Sequence, residues 1–183
     1  MEVIDTEIKG VKILIPGRFG DPRGIFCETY SKKAMAVTGL ELQFVQDNHS
    51  ISAETGTVRG LHFQLPPFAQ DKLVRCVRGA ILDMAVDIRR GSPTFGRHVK
   101  AVLSAENWKQ MLVPAGFAHG FVTQEPGSEV IYKVTNYYSP QHDRGIIWND
   151  PDLGIEWGIG PQEAKLSEKD KRLPRFHEAG ELF

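Results

Sequence analysis

Short runs in which apolar and polar side chains alternate recur along this chain, and a period of two marks a strand with one buried face. The pattern predicts strands over Val11–Pro16, Ile25–Tyr30, Phe44–Ser50, Gly60–Gln64, Lys72–Gly79, Ala80–Ile88, His98–Leu103, Lys109–Val113, Phe117–Thr123 and Glu129–Asn136. That makes roughly nine or ten strands. Turn-forming stretches separate them, among them Gly20-Asp21-Pro22-Arg23-Gly24, Arg90-Gly91-Ser92-Pro93 and Glu125-Pro126-Gly127. One short helix is expected over Lys32–Thr38, with Ser31 as its N-cap and Gly39 just past its end. From Pro140 onward the alternation breaks into turns, and Ser167-Glu168-Lys169-Asp170 has the spacing of a helix capping box. Short strands in this rhythm indicate an all-β sandwich or barrel. The architecture expected is a jelly roll with an internal pocket and a few short peripheral helices, in a single domain over residues 1–183.

The same alternation sorts the chemistry. In Gly60–Gln64 it places His62 and Gln64 on one face and Leu61 and Phe63 on the other. In the next strand Lys72 shares a face with Val74 and Cys76, an unusual company for an ammonium. Val130, Tyr132 and Val134 likewise share a face. Taken alone, a strand histidine is more often a hydrogen-bonded structural residue, and a tyrosine between valines more often core. Together His62, Lys72, His119 and Tyr132 would bring a base, a cation and a phenol into one cavity. That set suits abstraction of a proton next to a carbonyl, with the cation stabilising the enolate and the phenol returning a proton.

Composition narrows the partners. The 22 basic and 23 acidic side chains nearly cancel, so no global field favours nucleic acid or an anionic membrane. Hydrophobic residues at 41% and charged ones at 25% are globular values, and 183 residues can bury a core without staples. Cys27 and Cys76 are too few for a disulfide framework, which fits a reducing compartment. The first residues lack a basic region followed by an apolar run, and no apolar stretch approaches membrane-spanning length. The expectation is a soluble, cytoplasmic protein.

Pro114-Ala115-Gly116-Phe117-Ala118-His119 resembles the second sequence signature of cupins. Metal-binding cupins pair it with an earlier segment carrying two histidines one residue apart and then a glutamate; here that segment offers His62, with Gln64 in place of the second histidine. Two imidazoles and an amide hold a transition metal poorly, so neither metal nor cofactor is expected.

Nine dispersed segments then resemble one family, the dTDP-4-dehydrorhamnose 3,5-epimerases. They are Phe19–Gly24, Phe44–Ser50, Arg59–Gln64, Lys72–Arg75, Ser92–Gly96, Leu103–Asn107, Gly116–Val122, Asn136–Pro140 and Leu166–Asp170. The resemblance implies a metal-free cupin jelly roll, a homodimer, and a dTDP-linked 4-keto-6-deoxy sugar as substrate, epimerised at C3 and C5. It implies that His62, hydrogen-bonded to Asp170, is the base, that Lys72 stabilises the enolate, and that Tyr132 delivers a proton from the opposite face. For substrate binding it points to Arg23, Phe26, Glu28, Gln46, Asn48, Arg59, His119, Phe121, Tyr138, Asp143 and Lys169. Read singly, Arg23, Arg59 and Lys169 are solvated surface charges, and Phe26 and Phe121 are core residues. Two positions depart from the family pattern: Asp143 replaces the commoner glutamate, and Asp71 replaces a glycine before Lys72. A carboxylate meeting that ammonium would raise its pKa.

Overall fold

The computed structural model describes residues 1–183. In chain order its elements are strands β1 (Glu2–Asp5), β2 (Lys12–Ile15), β3 (Arg18–Asp21) and β4 (Gly24–Cys27), helix α1 (Lys32–Val37), then β5 (Gln46–Ser52), β6 (Val58–Gln64) and β7 (Lys72–Arg78). They continue as β8 (Ala80–Asp87), β9 (His98–Ser104), β10 (Gln110–Val113), β11 (Phe117–Thr123), β12 (Ser128–Val134) and β13 (Asp143–Gly145). A six-stranded sheet in the order β1-β2-β10-β7-β12-β5 faces a five-stranded sheet in the order β13-β6-β11-β8-β9. The pairing is antiparallel in both, and the result is the expected jelly roll.

The expected strands are present with small shifts at their ends, and three were missed. β1, β3 and β13 carry at most two apolar side chains each, whereas the equally short β2, β4 and β10 stand out by runs of three. The strand expected over Ile25–Tyr30 starts one residue earlier and stops at Cys27. Ser31 caps α1, its Oγ accepting from Ala34 N, and the helix ends at Val37 with Gly39 in the left-handed region just beyond.

Three apolar layers hold the sheets. Between them lie Val74, Cys76, Ile81, Met111, Phe121 and Val130. Outside the five-stranded sheet the C-terminal segment brings Ile146, Trp148, Trp157 and Phe176 onto Leu61, Phe63, Met84 and Val86. Outside the other sheet α1 packs Met35 on Leu14, Leu73 and Leu112. Each such side chain, fully buried, contributes about 1.5–3 kcal/mol, so a jelly roll covered on both flanks can leave polar residues in the space between its sheets.

One irregularity aims the site. His62 pairs with His119 across β6 and β11, yet Phe121 pairs with Arg59, so β6 carries one extra residue opposite Gly120. A bulge of this kind reverses the alternation. Without it Arg59 would share the face of Leu61 and Phe63; with it Arg59 and His62 both turn inward. The bulge requires glycines. A Cβ on Gly60 would lie 2.6 Å from the Gly120 Cα, and one on Gly120 would lie 2.8 Å from the Arg59 carbonyl.

Candidate active site

The open end of the jelly roll holds a cavity of about 460 Å³, lined by Arg59, His62, Lys72, His119, Phe121, Tyr132, Lys169 and Asp170 among others. A second hollow of about 370 Å³ shares His62, Lys72, Tyr132 and Lys169 with it and adds Gln46, Asn48, Tyr138 and Asp143. All four residues expected to do chemistry therefore meet, drawn from β6, β7, β12 and the C-terminal segment.

The His62 imidazole donates from Nε2 to Asp170 Oδ1 at 2.7 Å across 108 residues of chain. The histidine side chain is 31% exposed and the carboxylate 5%, so the ring reaches the cavity while its partner is enclosed. Burial alone would push the Asp170 carboxyl up, but the hydrogen bond and charge of His62, with Ser167 and the Gly60 backbone, hold it below its ordinary value. Ser167 Oγ accepts from Asp170 N at 3.0 Å, as a cap should. The carboxylate, however, turns to His62 rather than back along the chain, and the element it opens is one 3-10 turn, Asp170–Arg172.

Lys72 is buried and donates to the His62 carbonyl at 3.3 Å. Burial lowers its pKa to about 8, against the opposing pull of Asp143 and Asp83. Asp71 plays no part in this. Its carboxylate accepts from Ala115 N and Thr135 Oγ1, turned away from the ammonium, so the raised pKa considered from the sequence does not arise. Tyr132 pairs with Val74 of β7 and Asn48 of β5, and burial raises its phenol above 10, partly offset by Arg59. It is thus a proton donor at neutral pH.

Around this centre Lys169 contacts Asp143 Oδ2, to which Tyr138 also donates at 3.1 Å. Gln46 donates to Asn48 at 2.8 Å, and Arg59 reaches Ser52 Oγ and the Ile51 carbonyl at 3.2 Å each. Phe121 is buried and serves both core and cavity wall. His119, also buried, donates from Nε2 to Asp83 Oδ1 at 2.7 Å.

Three expected binding residues are not brought in. Arg23 and Phe26 lie on the β3–β4 hairpin and Glu28 just after it, apart from both hollows. Phe26 is 70% exposed, which corrects its reading as core, and Arg23 engages only Asp21 of its own turn. Sequence reasoning also missed residues that are present. Ser50, Lys165 and Ser167 line the cavity, and Asp83 stands behind His119. Asp83 did leave a signal, a lone carboxylate inside the apolar run Ala80–Val86.

The donor set does not suit a transition metal. The two imidazoles each face a carboxylate, and the Gln64 amide is occupied by Phe68 O, Tyr137 O and Ser139 N. What the arrangement offers is protonic. A carboxylate-backed imidazole, a buried ammonium and a phenol around one space define an acid–base enzyme of the racemase and epimerase class.

Comparison with known proteins narrows that class. The family model of dTDP-4-dehydrorhamnose 3,5-epimerase matches residues 5–178. The chain is 53% identical over 173 residues to the dTDP-4-dehydrorhamnose 3,5-epimerase of Sinorhizobium fredii, covering 93% of this chain and 87% of that one. A crystal structure of the enzyme of that name from Bacillus anthracis, with TDP and PPi bound, superposes with a TM-score of 0.93 at 50% identity, covering 96% and 99% of the two chains. An epimerase from Legionella pneumophila in complex with dTDP-4-keto-L-rhamnose gives a TM-score of 0.87 at 42% identity, over 96% and 98%. This chain belongs to the dTDP-4-dehydrorhamnose 3,5-epimerase family.

Proposed function

We propose that this chain, acting as one domain over residues 1–183, converts dTDP-4-dehydro-6-deoxy-D-glucose into dTDP-4-dehydro-L-rhamnose by inverting C3 and C5. The observation that carries the residue assignments is the His62–Asp170 pair at 2.7 Å, opening onto the same cavity as Lys72 and Tyr132. The 4-keto group acidifies the protons on both flanking carbons. His62 takes one of them, and Asp170 stabilises the imidazolium that forms and fixes the ring's orientation. Lys72 neutralises the developing enolate oxygen in a site where burial strengthens the interaction. Tyr132 delivers a proton to the other face of the ring; the imidazolium then gives its proton to water and the phenolate regains one from water, and repetition at the second carbon completes the reaction. No redox partner enters, because each step only moves a proton.

Arg59 and Lys169 supply charge for the diphosphate, with Gln46, Asn48, Tyr138 and Asp143 in the adjoining hollow to take the rest of the nucleotide sugar. Arg23, Phe26 and Glu28 fit this picture in a homodimer, where the exposed β3–β4 hairpin of one protomer reaches the cavity of its partner. That assembly also covers Phe19, Ile25 and Phe26, which are 67%, 58% and 70% exposed here. A cytoplasmic enzyme drawing on nucleotide sugars fits the two unpaired cysteines.

The test is incubation with dTDP-4-dehydro-6-deoxyglucose generated in place, followed by proton NMR of the product. The L-rhamno configuration is expected; a product inverted at C3 alone would reassign the chain to a single epimerisation. Mixing inactive His62→Ala protein with Arg23→Ala protein should restore part of the activity if the hairpin serves the neighbouring site. Mixtures as inactive as their components would remove that role.

A further inference from the structure

The inner face of β8 carries one residue to which the mechanism above gives no task. Ile81, Asp83 and Ala85 alternate toward the space between the sheets, and the flanking Ile81 and Ala85 belong to the apolar layer of Val74, Cys76, Phe121 and Val130. Asp83 is 0% exposed. Its Oδ1 accepts from His119, but Oδ2 is one of two buried side-chain polar atoms without a partner, the other being Ser50 Oγ. Enclosing a carboxylate with one oxygen unsatisfied is costly, and an apolar residue of similar volume would pack there more favourably. Packing therefore does not account for Asp83.

Its relation to His119 does. The His119 ring engages Asp83 through Nε2, while Nδ1 has no hydrogen-bond partner in the chain and is not among the enclosed unpaired atoms. The ring lines the cavity and stands across the sheet from His62, its register partner. We propose that Asp83 is a positioning residue for the epimerisation: by taking the Nε2 proton of His119 it fixes the tautomer whose bare Nδ1 accepts a hydrogen bond from a hydroxyl of the sugar. Two carboxylate-backed imidazoles then stand side by side with different tasks. His62 removes protons from carbon, and His119 holds the ring by its hydroxyl while they are removed. The opposite tautomer of His119 would place a donor where the fixed acceptor is needed, and the hydroxyl would have to turn.

The inference rests on the epimerase reading, but its first test does not. Nitrogen-15 NMR of histidine-labelled free protein at neutral pH should show His119 protonated at Nε2; protonation at Nδ1 alone would overturn the proposal. Asp83→Asn should lower kcat tenfold or more, with KM changed less than kcat, while melting at the same temperature as the parent or higher because a buried charge has gone. Introduced into His119→Asn protein, the same change should lose most of its effect, leaving only the part by which the Asp83 charge offsets the burial of Lys72. An Asp83→Asn variant that fails to fold, that turns over within twofold of the parent, or whose effect persists undiminished beside His119→Asn would each contradict the proposal. Parent protein that shows the expected tautomer but no turnover of this sugar would contradict the substrate assignment instead.

Discussion

Replacing Lys72 with methionine should make the protein more stable and nearly inactive. Lys72 lies with 8% exposure between the sheets, its pKa lowered by burial from 10.5 to about 8. A tenfold loss of proton affinity is worth about 1.36 kcal/mol, so holding the ammonium in the folded state costs about 3 kcal/mol at neutral pH. Its hydrogen bond to the His62 carbonyl returns about 1 kcal/mol. A methionine of similar length avoids the first and forgoes the second, a net gain of about 2 kcal/mol, or roughly 4–8 °C in melting temperature for a chain of this size. The sign of the pH dependence follows from the direction of the pKa change. The lysine binds a proton more weakly when folded, so below about pH 8 the full cost is present, and it fades as pH rises toward 10.5. The advantage of Lys72→Met, followed by thermal melting monitored by circular dichroism, should therefore be largest at pH 7 and shrink by pH 10. A variant less stable than the parent at pH 7, or an advantage that grows with pH, would refute the view of Lys72 as a buried, functionally retained ammonium.

The same pKa of about 8 sets an alkaline limb on kcat/KM. Above it activity should fall roughly tenfold per pH unit as the enolate loses its counter-charge, and a profile flat to pH 10 would exclude that role. Asp170→Asn should lower kcat/KM by about 10²-fold to 10⁴-fold, since the imidazole loses its oriented acceptor; rates within threefold of the parent would dissolve the dyad. Because the Asp170 carboxyl is held below its ordinary value, its stabilising contribution is present at neutral pH and lost as pH falls through the folded pKa. The parent's stability margin over Asp170→Asn should accordingly narrow in acid, as urea unfolding at several pH values would show. Gly60→Ala forces a Cβ to 2.6 Å from the Gly120 Cα at a φ of +126°, which should cost about 1–3 kcal/mol. Unchanged melting would mean the β6 bulge tolerates a side chain.

What the chain discloses without its structure divides by distance along it. Alternation found the long strands and put His62 and Gln64 opposite Leu61 and Phe63, because those facts are local. It placed Val130, Tyr132 and Val134 on one face for the same reason, and two of the three are fully buried. Arg59 was beyond its reach, because the bulge that turns Arg59 inward is set by the close approach of Gly60 and Gly120 on two strands. Asp170 was a capping residue by local reading. Only resemblance joined it to a histidine 108 residues away, and the geometry gives its carboxylate to that histidine while only its backbone N–H meets Ser167. Arg23, Phe26 and Glu28 came by resemblance as well and are the residues that the folded chain does not gather at the cavity. Asp83 was visible as a charge in an apolar run, but its partner was identifiable only once β8 and β11 were paired.

At the centre of this mechanism one carboxylate-backed histidine moves protons at two carbons flanking a ketone. Solvent-deuterium incorporation into dTDP-4-dehydro-6-deoxyglucose, followed by NMR for the parent, His62→Ala and Tyr132→Phe, tests it most directly. The parent should take up deuterium at both C3 and C5, His62→Ala at neither, and Tyr132→Phe should exchange protons faster than it inverts carbons. Exchange at either carbon surviving in His62→Ala at near-parent rates would contradict the account.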